Sequence, residues 1–305
     1  MRETMVAKVR AYLAFRRGLG FRLKSEGYQL LHFARYADAR GHRGPLTRQL
    51  ATAWACSSPS APRFSWARRL EVVRTFARHL SVTEARTQIP PAHLFGPAHR
   101  RLAPHLYSPG QIQRLVQGAG RLKGELRPHT WQTLLGLLAC TGLRVSEARR
   151  LQLGDVDWRQ SLLVVRESKH GRTRLVPLHP SAMAALRAYD QRRRRLFPRA
   201  QYFFVSSAGT QLRPSIVGTT FRQLRAGIPF EGRPPRLHDL RHTMASRVLQ
   251  RWLNQRRGGD GNHVLILSRF LGHAHLRHTY WYLSALPHLF RAAAERFAPH
   301  GDERW

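Results

Sequence analysis

Over the first eighty residues apolar positions recur every three or four residues, with charge filling the gaps between them. Residues 4–19 form one amphipathic stretch. Ser25 offers an N-cap for a second, which sets Leu30, Phe33, Ala34 and Ala37 on one face and stops at Gly41. Residues 46–56 and 65–80 give a third and a fourth, and a short fifth turn fits 81–86. Short one-sided helices bury their apolar faces against one another, so residues 1–97 read as a small helical bundle. The periodicity then fails in IPPAHLFGPAHRRLAPHLYSPGQ (89–111), where Pro, His and Arg crowd together, and the linker is placed at 98–108. Ser108-Pro109 supplies an N-cap followed by proline at the first helical position, which opens a second domain at 109 that runs to 305.

Helical spacing returns over 109–118, 128–141 and 145–151. It gives way in SLLVVRESKHGRTRLVPL (161–178) to two β-rich runs around KHGR, the pattern of a hairpin. Residues 180–196 are helical again, YFFV (202–205) fits a third strand, and helices near 213–226, 235–251, 263–270 and 287–298 complete the chain. The fold expected is mainly α with a small antiparallel β-sheet: an N-terminal helical bundle, then a mixed α+β domain.

The longest purely apolar run, LLGLLAC (134–140), is far short of the ~20 residues needed to cross a bilayer. The charged N-terminus reads as an amphipathic helix and not as a signal peptide. A membrane partner is therefore not expected. Cys56 and Cys140 stand apart with no C-x-x-C, which gives neither a zinc site nor a disulfide framework and fits a reducing cytoplasm; Cys140 falls at a core position. The formal net charge of +35 changes the picture most, because it demands a polyanionic partner, nucleic acid foremost. Nearly all of that charge is Arg. The lysines are Lys8, Lys24, Lys123 and Lys169, so a lysine at a hairpin tip stands out.

A chain that binds nucleic acid invites the question of whether it could also cut it. The seventeen acidic residues are spread thinly and no group sits where it could hold Mg²⁺, so neither metal nor cofactor is expected. Phosphoryl transfer without a metal needs a nucleophile, fixed cations around the non-bridging oxygens, an acid for the leaving alkoxide and help in removing the nucleophile's proton. Arginine suits the cation role because its planar fork donates two parallel hydrogen bonds to phosphate. Four segments supply these parts in order: CTGLRVSEARRL (140–151) with Arg144; ESKHGRTRLVPL (167–178) with Lys169; LHDLRHTMAS (237–246) with His238 and Arg241 on one helix face; and LGHAHLRHTYWYL (271–283) with His273 and, nine residues on, Tyr282. Each residue alone has a bland reading: a surface arginine, a solvated turn lysine, a helix-end histidine, a core tyrosine. Tyr280 is a rival nucleophile, Trp281 reads as packing, and the Arg192–Arg195 run reads as a solvated face.

Together these segments resemble the tyrosine recombinase (phage integrase) family over roughly 105–300, and TYWYLSALP resembles a transposable-element-borne subgroup of it. The N-terminal bundle resembles the family's core-binding domain in helix count and position. The resemblance implies that Arg144 and Arg241 clamp the scissile phosphate, Lys169 protonates the leaving 5′ oxygen, and His238 assists the nucleophile's proton transfer. It further implies that His273 hydrogen-bonds the phosphate, Glu147 supports the site from behind, and Tyr282 forms a 3′-phosphotyrosyl intermediate. Departures from the family's pattern lie at His278-Thr279 and Leu283-Ser284, beside the chemistry. The partner implied is double-stranded DNA, clamped between two basic domains. The tail, with Leu289, Phe290, Ala293 and Phe297 on one face, implies docking within a homotetramer on DNA or within an assembly with sister recombinases. Two alternatives use the same fold: an accessory protein whose chemistry has lapsed, and a relaxer of the type IB topoisomerase kind.

Overall fold

The structure is a computed structural model describing residues 3–98, 103–166, 173–254, 262–285 and 291. The chain divides into two compact units, Met1–Leu102 and Ala103–Trp305.

Among its described residues the first unit holds four helices: α1 (Met5–Gly18), α2 (Lys24–Ala39), α3 (Arg48–Ala55) and α4 (Arg63–Leu80). Thr4 caps α1 by accepting from the Ala7 amide, and the Asp38 carboxylate accepts from the Met5 and Val6 amides, so the end of α2 satisfies the start of α1. The one-sided faces read from the sequence meet in a core of Val9, Leu13, Leu30, Phe33, Trp54, Val73 and Phe76. Burying each large side chain contributes about 1.5–3 kcal/mol. Two expectations need correction. The entry to α2 is not capped by Ser25: the helix begins at Lys24 behind Leu23, which has left-handed backbone angles (φ 38°) and no capping side chain. Residues 81–86 form turns and no helix.

The second unit contains α5 (Pro109–Gly120), α6 (Arg127–Thr141), the single turn α7 (Val145–Ala148), strands β1 (Val156–Asp157), β2 (Leu162–Val165) and β3 (Arg174–Pro177), then α8 (Pro180–Leu196), α9 (Pro214–Arg225), α10 (Asp239–Asn254), α11 (His263–Leu271) and α12 (Arg277–Ala285). Ser108 opens α5 with a reciprocal capping box to Gln111, with Pro109 at the first helical position. The sheet is antiparallel in the order β1-β2-β3, with Leu163 opposite Val176 and Val165 opposite Arg174. Helix α6 runs through the main core and buries Trp131, Leu134, Leu135, Leu137 and Leu138, too many positions for one face, against a layer that includes Tyr189, Phe203 and Phe204. A smaller cluster of Met244, Leu249, Leu267, Leu271 and Tyr282 joins α10, α11 and α12.

Residues 202–205 make only isolated bridges, Tyr202 to Gln152 and Val205 to Gln211, and the third strand is β1. Phe203 and Phe204 are both buried, whereas a strand with one solvated face alternates. The helix expected over 145–151 closes after one turn. Helix α12 was not expected at all. Cys140 is exposed, on a groove of about 380 Å³ shared with Ser181 and Ala185, and not in the core. The Arg192–Arg195 run is not uniformly solvated: Arg193 is fully buried, held 2.7 Å from Asp190 one turn earlier. Lys169 at the hairpin tip and the tail face of Leu289, Phe290, Ala293 and Phe297 lie outside the described residues, as does the helix expected at 287–298 apart from Arg291. Among the described residues no helix is long and apolar enough to cross a membrane.

Candidate active site

Two helices end on glycines, and the candidate site is built on those ends. Gly142 closes α6 (φ 62°) and Gly272 closes α11 (φ 66°), a left-handed conformation that costs glycine little. A side chain at either position would also have to displace a neighbour. A Cβ on Gly142 would overlap Met244, and one on Gly272 would lie 2.7 Å from the Arg174 guanidinium.

The carbonyls without helical partners at these ends carry the negative pole of each helix and collect guanidinium groups. Arg241, buried on α10, donates to the Gly142 carbonyl (2.7 Å) and to the Leu271 carbonyl (2.6 Å). Arg144, just beyond Gly142, donates to the Gly272 carbonyl (3.0 Å) and to Glu147 Oε1 (2.7 Å). Arg174 on β3 donates through Nε to the Phe270 carbonyl (2.9 Å) and through its terminal nitrogens to Glu147 at 3.1 and 2.8 Å. Glu147 also accepts from the Arg144 amide (2.9 Å). Two arginines thus converge on one buried carboxylate while Arg241 is held by carbonyls, leaving an excess of positive charge fixed at the site. Burial pushes the Glu147 carboxyl up, but the hydrogen bonds and charge of Arg174, then Arg144, outweigh it and hold the carboxyl at about 2. Burial, then Arg144, lowers Arg241 to about 10, still cationic at neutral pH.

That depression of Glu147 has a consequence for acid stability. The folded value lies below the ordinary 4.5, so the contribution is present above pH 4.5 and is lost as pH falls towards 2. A difference of this size corresponds to about 3 kcal/mol. Urea unfolding of Glu147→Gln at pH 6 should show a loss of that order, and the gap to the native protein should shrink as the pH is taken down to 2.5; a gap that persists unchanged would contradict it.

The second half of the site is a run of rings. Tyr282 on α12 is 2 % exposed, while Tyr280 is 52 % exposed, so the two rival tyrosines face opposite surroundings. The Tyr282 hydroxyl lies 3.0 Å from His242 Nδ1. The His273 ring lies near-parallel to Tyr282 at 6.3 Å between centroids, and its Nδ1 is held by Thr279 Oγ1 at 2.7 Å. His238, immediately before α10, meets the His242 ring edge-to-face at 4.8 Å. Part of the His238 ring reaches solvent, but protein crowds its remainder; that crowding, then Arg241 and Arg236, lowers it to about 4. Burial, then Arg241 and Arg144, lowers His273 to about 3. All of these imidazoles are neutral at pH 7.

The structure therefore brings together Arg144, Glu147, Arg241, His273 and Tyr282, with His238 joined through His242. Arg174 and His242 were missed in the sequence. Arg174 gives no signal among so many arginines. His242 does, since it follows His238 by four residues and so shares its helix face. Among the described residues no group of three or more His, Cys, Asp or Glu is placed to hold a metal ion.

A helical unit with a small antiparallel sheet, presenting a buried tyrosine to fixed arginines, defines a class of enzyme: the tyrosine site-specific recombinases, which break and rejoin DNA strands. Residues 108–288 match the phage integrase family, and the chain belongs to that family. It is similar to y4rB of Sinorhizobium fredii, a protein named as an integrase/recombinase, at 39 % identity across 99 % of both chains. Tyrosine recombinase XerD of Rhizobium meliloti is 29 % identical over 73 % of this chain and 70 % of its own length. In fold the chain resembles the Tn1549 transposon integrase bound to transposon right-end DNA, with a TM-score of 0.71 at 16 % identity over 97 % of this chain and 100 % of that one.

Proposed function

We propose that this recombinase cuts duplex DNA by direct attack of Tyr282 on the scissile phosphate and reseals it by the reverse step. The observation that carries the reading is the Tyr282 hydroxyl held among neutral imidazoles beside fixed guanidiniums. Arg144 and Arg241 retain N–H donors beyond those given to the carbonyls and bind the non-bridging oxygens, stabilising charge as it spreads in the transition state. His273, its Nδ1 anchored on Thr279, turns Nε2 to the phosphate. Glu147 keeps Arg144 and Arg174 in register from behind. Lys169, by the family resemblance, protonates the leaving 5′ oxygen. His238 adjoins His242 and shares the nucleophile's proton traffic. The energy of the broken bond is conserved in a 3′-phosphotyrosyl link, so rejoining needs neither ATP nor a metal.

The first unit is the core-binding domain in this reading and the second the catalytic one, working as a homotetramer or with sister recombinases on DNA. Its task in the bacterial cytoplasm is the movement of a mobile element. That assignment rests on the resemblance of the TYWYLSALP stretch.

The test uses duplexes tiled across the genomic DNA flanking the gene, each nicked near its centre and incubated with protein in EDTA. A denaturation-resistant protein–DNA adduct is expected on some of them; tight binding with no adduct on any would contradict the reading. Affinity for the same duplexes should fall steeply with salt, by about 10³-fold or more between 50 and 200 mM if six or more phosphates are neutralised. An affinity flat across that range would contradict DNA as the partner.

A further inference from the structure

We propose that His242, rather than His238, takes the proton from Tyr282 as the nucleophile attacks, and returns it on rejoining. The inference rests on the reading of Tyr282 as nucleophile and refines it. The phenol hydroxyl lies 3.0 Å from His242 Nδ1, within hydrogen-bond reach and without any conformational change. To accept there, the imidazole must carry its own proton on Nε2.

The surroundings fix this ring. His238 packs edge-to-face against it at 4.8 Å, Trp281 flanks it at 5.6 Å, and Tyr282 itself stands 5.5 Å away between centroids. The charged and titratable groups that act on it are His238, Asp239, Arg236 and Arg241 from its own helix and the segment entering it, together with Tyr282 from α12 and His273 from the turn before it. Burial, then His238, against the opposing Asp239 and with Arg236 and Arg241 adding to the lowering, brings His242 to about 3, so the acceptor is neutral in the free protein. A neutral imidazole is available to receive a proton, but the cations around it resist the transfer. A phosphate diester bound to Arg241 adds one negative charge to that neighbourhood and relieves the resistance. Activation of the nucleophile is thereby coupled to the arrival of its target, and a site without DNA keeps the tyrosine protonated.

The step balances. The Tyr282 Oη–H bond breaks and its proton passes to His242 Nδ1, leaving an imidazolium. The Oη–P bond forms, the bond from phosphorus to the 5′ oxygen breaks, and that oxygen takes a proton from the Lys169 ammonium. Rejoining runs the same transfers backwards and restores neutral His242.

The experiment uses the full-length protein on a duplex that gives the adduct, in single turnover, with two forms of the substrate. One carries the natural 5′ oxygen at the scissile phosphate and the other a bridging 5′ sulfur, which leaves as a thiolate with no need of an acid. His242→Ala should slow adduct formation about 10²–10⁴-fold, the range for losing a positioned proton acceptor, and the loss should be the same on both substrates. Lys169→Ala should be slow on oxygen and restored on sulfur. His242→Asn, whose side-chain oxygen can accept the phenol's hydrogen bond but not its proton, should stay slow on both substrates, and its far-ultraviolet circular dichroism should match the native protein should His242→Ala fail to fold. His238→Ala should lose less than His242→Ala. The proposal is overturned if both His242 variants cleave at the native rate, if sulfur restores them, or if His238→Ala alone carries the loss on both substrates. Tyr282→Phe run alongside separates the two failures, because an adduct that survives in that variant removes the nucleophile assignment itself.

Discussion

Tyr282→Phe is expected to leave no detectable covalent adduct on any duplex, while Tyr280→Phe keeps the native level to within about twofold. The asymmetry follows from where the two rings sit. Tyr282 is buried with Met244, Leu249, Leu267 and Leu271, and its hydroxyl reaches His242. Phenylalanine preserves that packing and removes the hydrogen bond to His242, worth about 1 kcal/mol to the fold, so loss of the adduct would not reflect unfolding. What disappears is the only atom of that side chain able to bond phosphorus, and no neighbouring imidazole supplies a stable ester in its place. Tyr280 faces solvent at 52 % exposure, away from that packing. Gel electrophoresis under denaturing conditions reads the result directly. A lost adduct in Tyr280→Phe with retention in Tyr282→Phe would reverse the assignment.

Arg241→Ala should produce the next largest effect, and in two quantities at once. The guanidinium ties the Gly142 carbonyl at the end of α6 to the Leu271 carbonyl at the end of α11. Alanine leaves both buried acceptors without their donor, each at about 1–3 kcal/mol, so urea unfolding should show a loss of several kcal/mol. The chemical step also loses donors aimed at the developing charge, where removal of a single one costs about 10²–10³-fold. Adduct formation should therefore fall by about 10³-fold or more. Arg241→Lys separates the two roles: one ammonium can hold one of the carbonyls and recover part of the stability, but it has no planar fork with which to hold both carbonyls and the phosphate, so the rate stays low. Recovery of the full rate by lysine would mean that charge alone suffices at this position.

Much of this was open to reading in the chain, and the reasons are physical. The helices of the first unit show clear one-sided faces because each has a single buried side. The capping box at Ser108 uses local contacts only, so three residues reveal it. Arg144, His238, Arg241, His273 and Tyr282 could be picked out because each lies in a recognisable local context, and the structure brings them together. What stayed hidden depends on contacts between distant segments. Residues 202–205 look like a strand from composition, yet Phe203 donates its amide to the Leu151 carbonyl and buries its ring beside Phe204, so core packing sets that segment. Strand β1 is two residues long and has no periodicity to detect. Helix α12 crowds His278, Tyr280, Trp281 and Tyr282 with no apolar stripe, and only the cluster with α10 and α11 makes its buried side evident. Arg193 is indistinguishable from Arg192 in the sequence until Asp190, three residues earlier, is seen to pair with it in the interior. Arg174 was missed for the same reason: its value lies in reaching Glu147 from another element, 27 residues away.

The most direct measurement is mass spectrometry of the trapped adduct. After the DNA is digested to a short nucleotide remnant, trypsin should release the peptide from His278 to Arg291, which contains both Tyr280 and Tyr282. Fragmentation is expected to place the remnant on Tyr282, joined through the 3′ phosphate of its nucleotide. A remnant on Tyr280, a link through a 5′ phosphate, or a modified peptide elsewhere in the chain would contradict the assignment of Tyr282 as the nucleophile.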